Sequence, residues 1–337
     1  MSRRGWWLFA AMSVIWGIPY LLIKVAVGGV SPPVLVLARV TIGAALLLPI
    51  AIKRRELLPV LLRWRWVVLF ALVEIIAPWL LLSEAETRLS SSLSGLLIAS
   101  VPILVAVIGR ATGGTDRLSL ARWAGLLVGL GGVALLVAGG GAHGHAWSVA
   151  EVLLVAVCYA TGPLIVARKL SNLPSLGVTA ACLALAAVVY SPLAALTWPA
   201  AVPAPKVLAA LGTLGVLCTA VAFLGFFALI AEAGPARAAV ITYVNPAVAV
   251  ALGVLVLGER LTLTMGVAFA AILGGSVLAT RSGRPAGQAG EGAASGLAAP
   301  QSLAAESAAA QGTSGDQLTA SGLSEREPEG TRLDSRG

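Results

Sequence analysis

Charged side chains are scarce in this sequence, and their scarcity excludes a water-soluble globular protein. Of the 337 residues, 11% are charged and 58% are hydrophobic, and the mean hydropathy is +0.93. A soluble domain carries roughly a quarter charged residues, because water must solvate its surface. Lipid must therefore surround most of this protein. The net charge of +8 comes from short basic segments between apolar runs, so it indicates membrane orientation and no nucleic-acid partner.

Residues that bind metals or act as nucleophiles are also few. The two histidines, His143 and His145, lie in a glycine-rich stretch, and the three cysteines, Cys158, Cys182 and Cys218, lie inside apolar runs. These positions match neither a disulfide framework nor a metal-ligand spacing. The phosphate-binding pattern G-x-x-x-x-G-K-[ST] is missing as well. We therefore expect no metal, no cofactor and no ATP-driven transport.

Long apolar runs are abundant. A helix needs about 20 apolar residues to span a membrane. By that measure the sequence predicts ten transmembrane helices, at roughly residues 6–27, 34–52, 66–82, 90–109, 122–138, 148–167, 176–197, 207–230, 237–257 and 263–280. Residues 281–337 contain no aromatic residue and no Val, Ile, Met or Cys. Such a segment predicts a disordered cytoplasmic tail, for which a passive extension is favoured over a regulatory role.

The basic residues predict the orientation. With the N-terminus in the cytoplasm, fifteen Lys and Arg side chains fall in cytoplasmic segments, and only Arg88, Lys206 and Arg260 fall on the other side. Because basic residues concentrate in cytoplasmic loops, this bias predicts a multi-pass protein of the inner membrane with both termini in the cytoplasm.

An internal repeat links the two halves of the chain. The segment 116–120 (DRLSL) recurs as 259–263 (ERLTL), 143 residues later, and the glycine pair 131–132 recurs as 274–275. Each copy holds five helices, over residues 6–138 and 148–280. Because five is odd, the second copy must enter the membrane upside down, as in many secondary transporters. The sequence therefore predicts an all-α integral membrane protein whose ten transmembrane helices form two inverted five-helix repeats.

Prolines occur at matching places in the two copies, Pro19 with Pro163 and Pro102 with Pro246. Proline removes a backbone hydrogen bond, and lipid cannot satisfy the carbonyl that is freed. Matching helix breaks are a sequence indication of a substrate site. Kinks that serve only packing explain the same prolines, and both interpretations stay open.

Polar and aromatic side chains flank these prolines and are candidates to line a cavity. They are Trp16, Tyr20, Tyr159, Thr242 and Asn245. We expect a small-molecule substrate to bind there, near the middle of the bilayer.

Charges within a span are expensive, so each is a functional candidate. Arg39 is a candidate to bind a substrate carboxylate or to tie helices together through backbone carbonyls. Glu74 is a candidate to pair with Arg39 or Lys24, or to take up a proton during transport. Lys24 lies near a helix end, where anchoring at the membrane surface is favoured.

Short motifs in order along the chain carry a family resemblance. The first half has Ile15-Trp16-Gly17, Lys24, Ser31-Pro32 and Arg39, and the second half has Pro246, Leu257-Gly258-Glu259, Gly266 and a glycine pair. Residues 6–280 thereby resemble EamA-like members of the drug/metabolite transporter superfamily. The pattern departs at residues 113–116 (GGTD), where the second half has Leu-Gly-Glu.

The resemblance implies a ten-helix carrier that typically exports amino acids or related small metabolites. Such transport is driven by an ion gradient or by the gradient of the substrate itself. Two alternatives remain, an intramembrane lipid-modifying enzyme and a channel. The enzyme would need clustered acids, a histidine or an activated nucleophile within a span, and the channel would need a ring of charges along its pore.

Overall fold

The computed structural model describes residues 1–111, 120–138 and 145–280. The predicted tail 281–337, His143 and most of the first copy of the repeated pentapeptide lie outside the described residues. Within the described residues every regular element is helical, and no strand is present. The all-helical prediction is thus confirmed for this part of the chain.

Eight helices of the described chain are long and apolar enough to cross a membrane. They are α1 (Arg3–Ala26), α2 (Pro32–Lys53), α3 (Trp64–Arg88), α4 (Ser91–Gly109), α5 (Leu120–Ala138), α6 (Ala146–Leu170), α7 (Ser175–Leu196) and α8 (Pro205–Ala233). Two shorter apolar helices follow, α9 (Ile241–Leu257) and α10 (Leu263–Ala279). A short surface helix, Leu57–Leu62, lies between α2 and α3.

Two of the four predicted helix breaks are present, and both lie in the first half of the chain. Helix α1 ends one segment at Ile15 and resumes at Ile18, with Pro19 at the start of the second segment. Helix α4 is interrupted between Ile98 and Val101, immediately before Pro102. Proline fits the first turn of a helical segment because no intrahelical partner is lost there.

The breaks expected at Pro163 and Pro246 were wrong. The helical segments Ala146–Ile165 and Ile241–Leu257 run through these prolines without interruption. Each proline removes one N–H donor, and its fixed backbone angle is compatible with a helix. A single lost bond in a packed helix is therefore insufficient to break it.

Three helices contain a wider, π-helical turn that accommodates an extra residue. These turns are Leu72–Ile76 in α3, Val166–Leu170 in α6 and Val216–Val221 in α8. Side chains bind carbonyls that these turns leave free: the Tyr190 hydroxyl donates to the carbonyl of Ile76, and Thr219 Oγ1 donates to the carbonyl of Leu214 at 2.8 Å. Such turns are frequent at functional sites.

Helices that occupy equivalent places in the two halves pack against each other in opposite directions. Helices α2 and α7 contact at both ends: the hydroxyls of Ser31 and Thr197 lie 2.8 Å apart, and the Gly177 amide donates to Glu56 Oε2 at 2.9 Å. The start of one helix therefore lies beside the end of the other.

Helices α5 and α10 show the same arrangement through glycines. A Cβ on Gly275 would lie 2.5 Å from the backbone nitrogen of Gly129, and one on Gly125 would lie 2.6 Å from that of Ala279. Small residues allow this close backbone approach. Helices α4 and α9 are also antiparallel, since Gly95 faces Ala249 and the start of α4 contacts the loop after α9.

Further contacts between the halves come in matching pairs. Helix α1 packs against α8 as α6 packs against α3, and α1 packs against α9 as α6 packs against α4. The contact of α10 with α4 is an exception, because α5 and α9 have no contact of similar extent among the described residues. The matching pairs bring side chains from both halves together at the centre of the bundle.

Candidate substrate-binding site

Arg39 is the central feature of the site. It lies within α2, and only 7% of its surface is exposed. Its Nε donates to Thr219 Oγ1 of α8 at 3.0 Å, and the guanidinium carbon lies 3.6 Å from the centre of the Trp79 ring of α3. Stacking on Trp79 and the hydrogen bond to Thr219 thus hold the guanidinium in a defined plane. The sequence-based prediction missed both of these side chains.

Within the described part of the chain, the terminal nitrogens of Arg39 donate no hydrogen bond to a protein group. Among the described residues, only the Nε of this guanidinium donates a hydrogen bond, and no carboxylate forms an ion pair with it. A guanidinium has five N–H donors in a planar fork that matches a carboxylate. Because a buried charge needs partners, this arrangement can bind an anionic group of a solute.

Two tyrosines lie within electrostatic reach of Arg39. Tyr20 comes from α1 and is buried, and Tyr159 comes from α6 and is partly buried. The Tyr20 ring also lies against Gly95 of α4. The two phenol groups add hydroxyls that can donate or accept hydrogen bonds beside the guanidinium.

Glu74 lies in the π-helical turn of α3 and approaches α6 closely. A Cβ on Gly162 would lie 1.9 Å from Glu74 Oε2, so the absence of a side chain at Gly162 makes room for the carboxyl group. The Oε2 atom is buried and has no hydrogen-bond partner. Among the described residues Glu74 forms no ion pair with Arg39 or Lys24, which was one of the two roles considered for it, and the phenol of Tyr159 is a neighbouring polar group.

The other predicted site residues lie in a second group. Trp16 packs against the Phe226 ring of α8, with ring centres 4.6 Å apart. The side-chain amide of Asn245 lies 3.0 Å from the Ser13 carbonyl, a position in which its nitrogen donates to that oxygen. Thr242 is exposed and donates to the carbonyl of Ala239 at 2.8 Å.

The predicted residues are therefore divided between two places. Tyr20 and Tyr159 lie near the Arg39 guanidinium, with Trp79 and Thr219, and Glu74 lies near Tyr159. These six residues are called the Arg39 cluster below. Trp16 and Asn245 instead join α1 to α8 and α9. The interruption of α1 after Ile15 separates Trp16 from Tyr20, although their spacing predicted a shared face.

Lys24 and Glu86 differ from their predicted environments. Lys24 Nζ donates to the carbonyls of Glu86 and Leu89, each at 2.7 Å, so it caps the end of α3 where surface anchoring was expected. Glu86 is fully buried, and neither carboxyl oxygen has a hydrogen-bond partner. The predicted third span stopped at residue 82, but α3 continues to Arg88, which places this second acid inside the helix.

Glu259 closes the loop between α9 and α10 onto α4. Its carboxylate accepts hydrogen bonds from Ser91 N at 2.8 Å, Ser91 Oγ at 3.0 Å and Ser92 N at 2.9 Å. Burial alone raises the pKa of this carboxyl, but the hydrogen bonds outweigh burial, and its pKa lies below the usual range. The carboxylate is thus a fixed anion at the start of a helix.

The described residues contain no group of three or more His, Cys, Asp or Glu side chains that could hold a metal ion. A groove of about 380 Å³ lies between α9 and α10, lined by Tyr243, Leu273, Gly274, Val277 and Leu278. It shares no residue with the Arg39 cluster, and its apolar lining offers few polar contacts. The Arg39 cluster is the stronger candidate for solute recognition.

Comparison with known proteins gives a consistent result. The model of the EamA-like transporter family matches this chain twice, over residues 3–138 and 146–281. An uncharacterized inner membrane transporter of Escherichia coli K12, YedA, is 28% identical over 274 residues, which are 80% of this chain and 88% of YedA. The uncharacterized transporter YvbV of Bacillus subtilis is 26% identical over 267 residues, 77% of this chain and 85% of YvbV.

A solved crystal structure shares the fold. It aligns with a TM-score of 0.58 at 22% sequence identity, over 81% of this chain and 96% of the other. Similarity at this level of identity supports the fold and carries no information about the substrate.

Proposed function

This chain belongs to the EamA-like transporter family, and from that premise we propose that it is a secondary carrier for amino acids or related small metabolites. It is a membrane transporter by family. We further propose that it resides in the inner membrane, works by alternating access and mainly exports its substrate.

Two inverted repeats of five helices, residues 6–138 and 148–280, are the proposed architecture. The support is the antiparallel packing of three equivalent pairs, α2 with α7, α4 with α9 and α5 with α10. Helices related by an axis in the membrane plane must run in opposite directions. The matching contacts of α1 and α6 follow the same symmetry.

Ten spans are proposed from contacts at the helix ends, and cytoplasmic termini from the distribution of basic residues. Ser2 binds Glu232 in the last turn of α8, which supports an N-terminus on the face where α9 begins. Glu259, just after α9, binds the start of α4, and α4 begins where α3 ends. Helix α9 therefore connects the two faces, although it is shorter than the eight long helices.

The Arg39 cluster is the proposed substrate site, and the unpaired guanidinium of Arg39 is the observation that carries it. We assign Arg39 to the substrate carboxylate and Glu74 to the substrate amino group, with Tyr20 and Tyr159 as further hydrogen-bonding groups. Arg39 and Glu74 carry opposite charges and do not pair with each other. A zwitterion satisfies both, whereas a simple anion or cation satisfies one.

The proposal assigns no direct substrate contact in this conformation to the other predicted site residues, which are Trp16, Asn245 and Thr242. Trp16 and Asn245 lie where α1 contacts α8 and α9, beside the break in α1, so they suit a role in the movement of that helix. Thr242 is exposed, so a direct contact with substrate would need a different conformation. Neither the enzyme nor the channel alternative has comparable support, since no His of the described residues lies within a span and these residues contain no group of three or more His, Cys, Asp or Glu that could hold a metal ion.

The test compares solutes that differ by one charged group. Binding of radiolabelled L-amino acids to the purified protein is measured beside binding of the corresponding amines, which lack the carboxylate, and of the corresponding carboxylic acids, which lack the amino group. The wild type should prefer the amino acid to both. A hydrogen bond to a charged group contributes about 1.5–3 kcal/mol, so each missing group should weaken binding by roughly 10- to 150-fold.

Variants then assign each charge to its partner. Arg39→Gln should abolish the preference over the amine, and Glu74→Gln should abolish the preference over the carboxylic acid. Arg39→Lys retains the charge without the planar fork, so an intermediate affinity is expected. Arg3→Gln, at the exposed N-terminal end, is the matched control. A folded Arg39→Gln protein with wild-type affinity and selectivity would place the site elsewhere.

A further inference from the structure

The connection between α2 and α3 and the last turn of α6 meet at one face of the protein and form a basic surface. The connection and the helix ends beside it contribute Lys53, Arg54, Arg55, Arg63 and Arg65, and the last turn of α6 contributes Arg168 and Lys169. All seven side chains are exposed. Residues 53–66 and 168–169 are called the basic surface below. Seven positive charges on these two short segments give the basic surface a strong positive electrostatic potential.

Direct contacts join the connection between α2 and α3 to the last turn of α6. Arg63 Nη1 donates to the carbonyl of Lys169 at 2.9 Å, and Lys169 Nζ lies 4.7 Å from the centre of the Trp66 ring. Arg65 in turn lies over Trp64, 5.6 Å from the ring centre. The basic groups thus surround two tryptophans, and the first half of the chain contributes most of them while the second contributes Lys169 and Arg168.

The single acid in this region does not neutralise it. Glu56 Oε2 accepts a hydrogen bond from the Gly177 amide at the start of α7, and its other oxygen lies 4.0 Å from Arg54 Nη1. Glu56 is partly buried, whereas the basic side chains are exposed. The basic surface therefore keeps a net positive charge on its exposed side.

Exposed apolar side chains lie beside the basic ones. Val60 is fully buried and fixes the short helix Leu57–Leu62 to the protein, whereas Leu58, Leu61 and Leu62 are 70%, 59% and 78% exposed. Trp64 is exposed as well. Because this helix joins the ends of two spans, the leucines can enter the boundary between headgroups and acyl chains while the basic groups remain at the level of the phosphates.

We propose that the basic surface binds the headgroups of anionic phospholipids, with Arg55, Arg63, Arg65 and Lys169 as the phosphate ligands and Trp64 and Trp66 beside the glycerol and upper acyl chain. Charge complementarity selects an anionic lipid over a zwitterionic one. Basic pockets between helices at the cytoplasmic face are suited to such headgroups. The exposed leucines favour a lipid over an acidic soluble protein, because a soluble partner would leave them without an apolar contact.

Lipid binding has a structural consequence at this place. The π-helical turn Val166–Leu170 of α6 carries Arg168 and Lys169, and the Arg63 contact ties this turn to the start of α3. An anionic headgroup that binds both segments adds a further link between the halves. The protein should therefore be more stable with the bound lipid, by the ordinary linkage between binding and folding.

The experiment titrates delipidated, full-length protein in a neutral detergent with phosphatidylglycerol or with phosphatidylcholine of the same acyl chains. The melting temperature is followed at each lipid concentration. Phosphatidylglycerol should raise the melting temperature with a saturable midpoint, and phosphatidylcholine should do so only weakly. Native mass spectrometry of the same samples counts the lipids that stay bound.

The variant Arg55→Gln/Arg65→Gln removes two charges whose side chains make no described hydrogen bond. Each basic residue near an anionic surface contributes about five-fold in affinity, so the midpoint should shift to roughly 10- to 30-fold higher phosphatidylglycerol. The matched control Lys206→Gln/Arg260→Gln removes two exposed charges at the opposite helix ends and should leave the midpoint unchanged.

Each outcome decides the proposal. Equal responses to the two lipids, or an equal shift in the test and control variants, would overturn it. A wild-type midpoint in the Arg55→Gln/Arg65→Gln protein would do the same. If the double variant fails to fold, Arg65→Gln alone is measured with the same expectation at about five-fold. These readouts involve no transport, so they are independent of the proposed substrate.

Discussion

The two halves of the bundle share a helical frame but differ in their charges. In the first half Arg39 and Glu86 are buried, and Lys24 and Glu74 are partly buried. The residues 143 positions after these four are all uncharged: Ala167, Cys182, Leu217 and Leu229. The second half buries an acid of its own, Glu151, near the start of α6. Both halves have a π-helical turn in the third helix, at Leu72–Ile76 and at Val216–Val221. The frame is thus duplicated, whereas most of the charged groups inside the bundle belong to one copy.

The helix interruptions differ between the halves only in part. Helix α1 is broken beside Pro19, whereas its counterpart α6 continues through Pro163. Helix α4 is broken just before Pro102, and in the second half the break lies earlier, at residues 239–240, between the short helix Pro235–Ala238 and α9. The second half supplies uncharged neighbours to charged groups of the first half, as Thr219 does for Arg39 and Gly162 does for Glu74.

The largest expected effect tests the shared frame. Gly275→Ala adds a Cβ that would meet backbone atoms of Gly125 and Gly129 within 2.6 Å, and backbone cannot rotate away. We expect α5 and α10 to be forced apart at a cost of about 3 kcal/mol, with a melting temperature lower by roughly 5–10 °C. Gly274→Ala is the control, because nothing lies within 4 Å of its Cβ. Equal melting temperatures for the two variants would contradict the close contact.

The next effect tests the link that Glu259 makes from the second half to the first. Glu259→Gln loses a charged acceptor for two amides and a hydroxyl, and should cost about 2 kcal/mol of stability. Because the pKa of Glu259 is lowered by these bonds, its contribution is complete above the normal glutamate value of about 4.3 and is lost as the pH falls through the lowered value.

Thermal unfolding between neutral and acidic pH checks this expectation. The difference between wild type and Glu259→Gln should shrink on acidification, and a constant difference would show that the carboxylate is not the cause. Glu232→Gln is the matched control. Glu232 also joins the halves, through Ser2, but it is exposed, so its replacement should cost about 0–1 kcal/mol.

A smaller effect should separate the two kinds of proline. Pro246 lies inside a continuous helix, so Pro246→Ala restores a backbone donor for the Thr242 carbonyl and should stabilise the protein by about 1 kcal/mol. Pro102 lies in the first turn after a break, where no bond is missing, and Pro102→Ala should leave the melting temperature within error. A gain at Pro102 that matches the gain at Pro246 would show that the halves do not differ in this respect.

The smallest effect concerns the contact of Glu74 with Gly162. Gly162→Ala should cost less than about 1 kcal/mol, because the obstructing atoms are the far end of a side chain that can rotate. In a Glu74→Ala background the cost should vanish, and a double-mutant cycle measures the coupling. A cost that persists without the carboxyl group would show that another neighbour fills this space.

Much of the fold could be predicted from hydrophobicity, because apolar length alone identifies the spans. The prediction from hydrophobicity failed where polar residues lie within a helix. The predicted third span ended at residue 82 and left out Glu86, whereas α3 continues to Arg88. The prolines gave two breaks correctly and two wrongly. A sequence shows where a backbone donor is missing, and only the packing decides whether the helix tolerates the loss.

The candidate site was predictable in part. Tyr20 and Tyr159 lie near Arg39, and Glu74 lies near Tyr159, because polar groups inside an apolar bundle need polar neighbours. Trp79 and Thr219 were missed, since a tryptophan and a threonine in an apolar run have no distinguishing pattern. Their contacts depend on the crossing of α2 with α3 and α8, which no local spacing reveals.

The π-helical turn in α3 changes what residue spacing means along that helix. Glu74 and Glu86 are 12 residues apart, which in an uninterrupted α-helix corresponds to a rotation of about 120°. The wider turn absorbs one residue, so the rotation falls to about 20° and the two carboxyl groups lie almost on one line along the helix axis. Deleting one residue within this turn would convert it to an ordinary α-turn and leave the side chains beyond it in place, whereas the same deletion elsewhere in α3 would rotate them by about 100°.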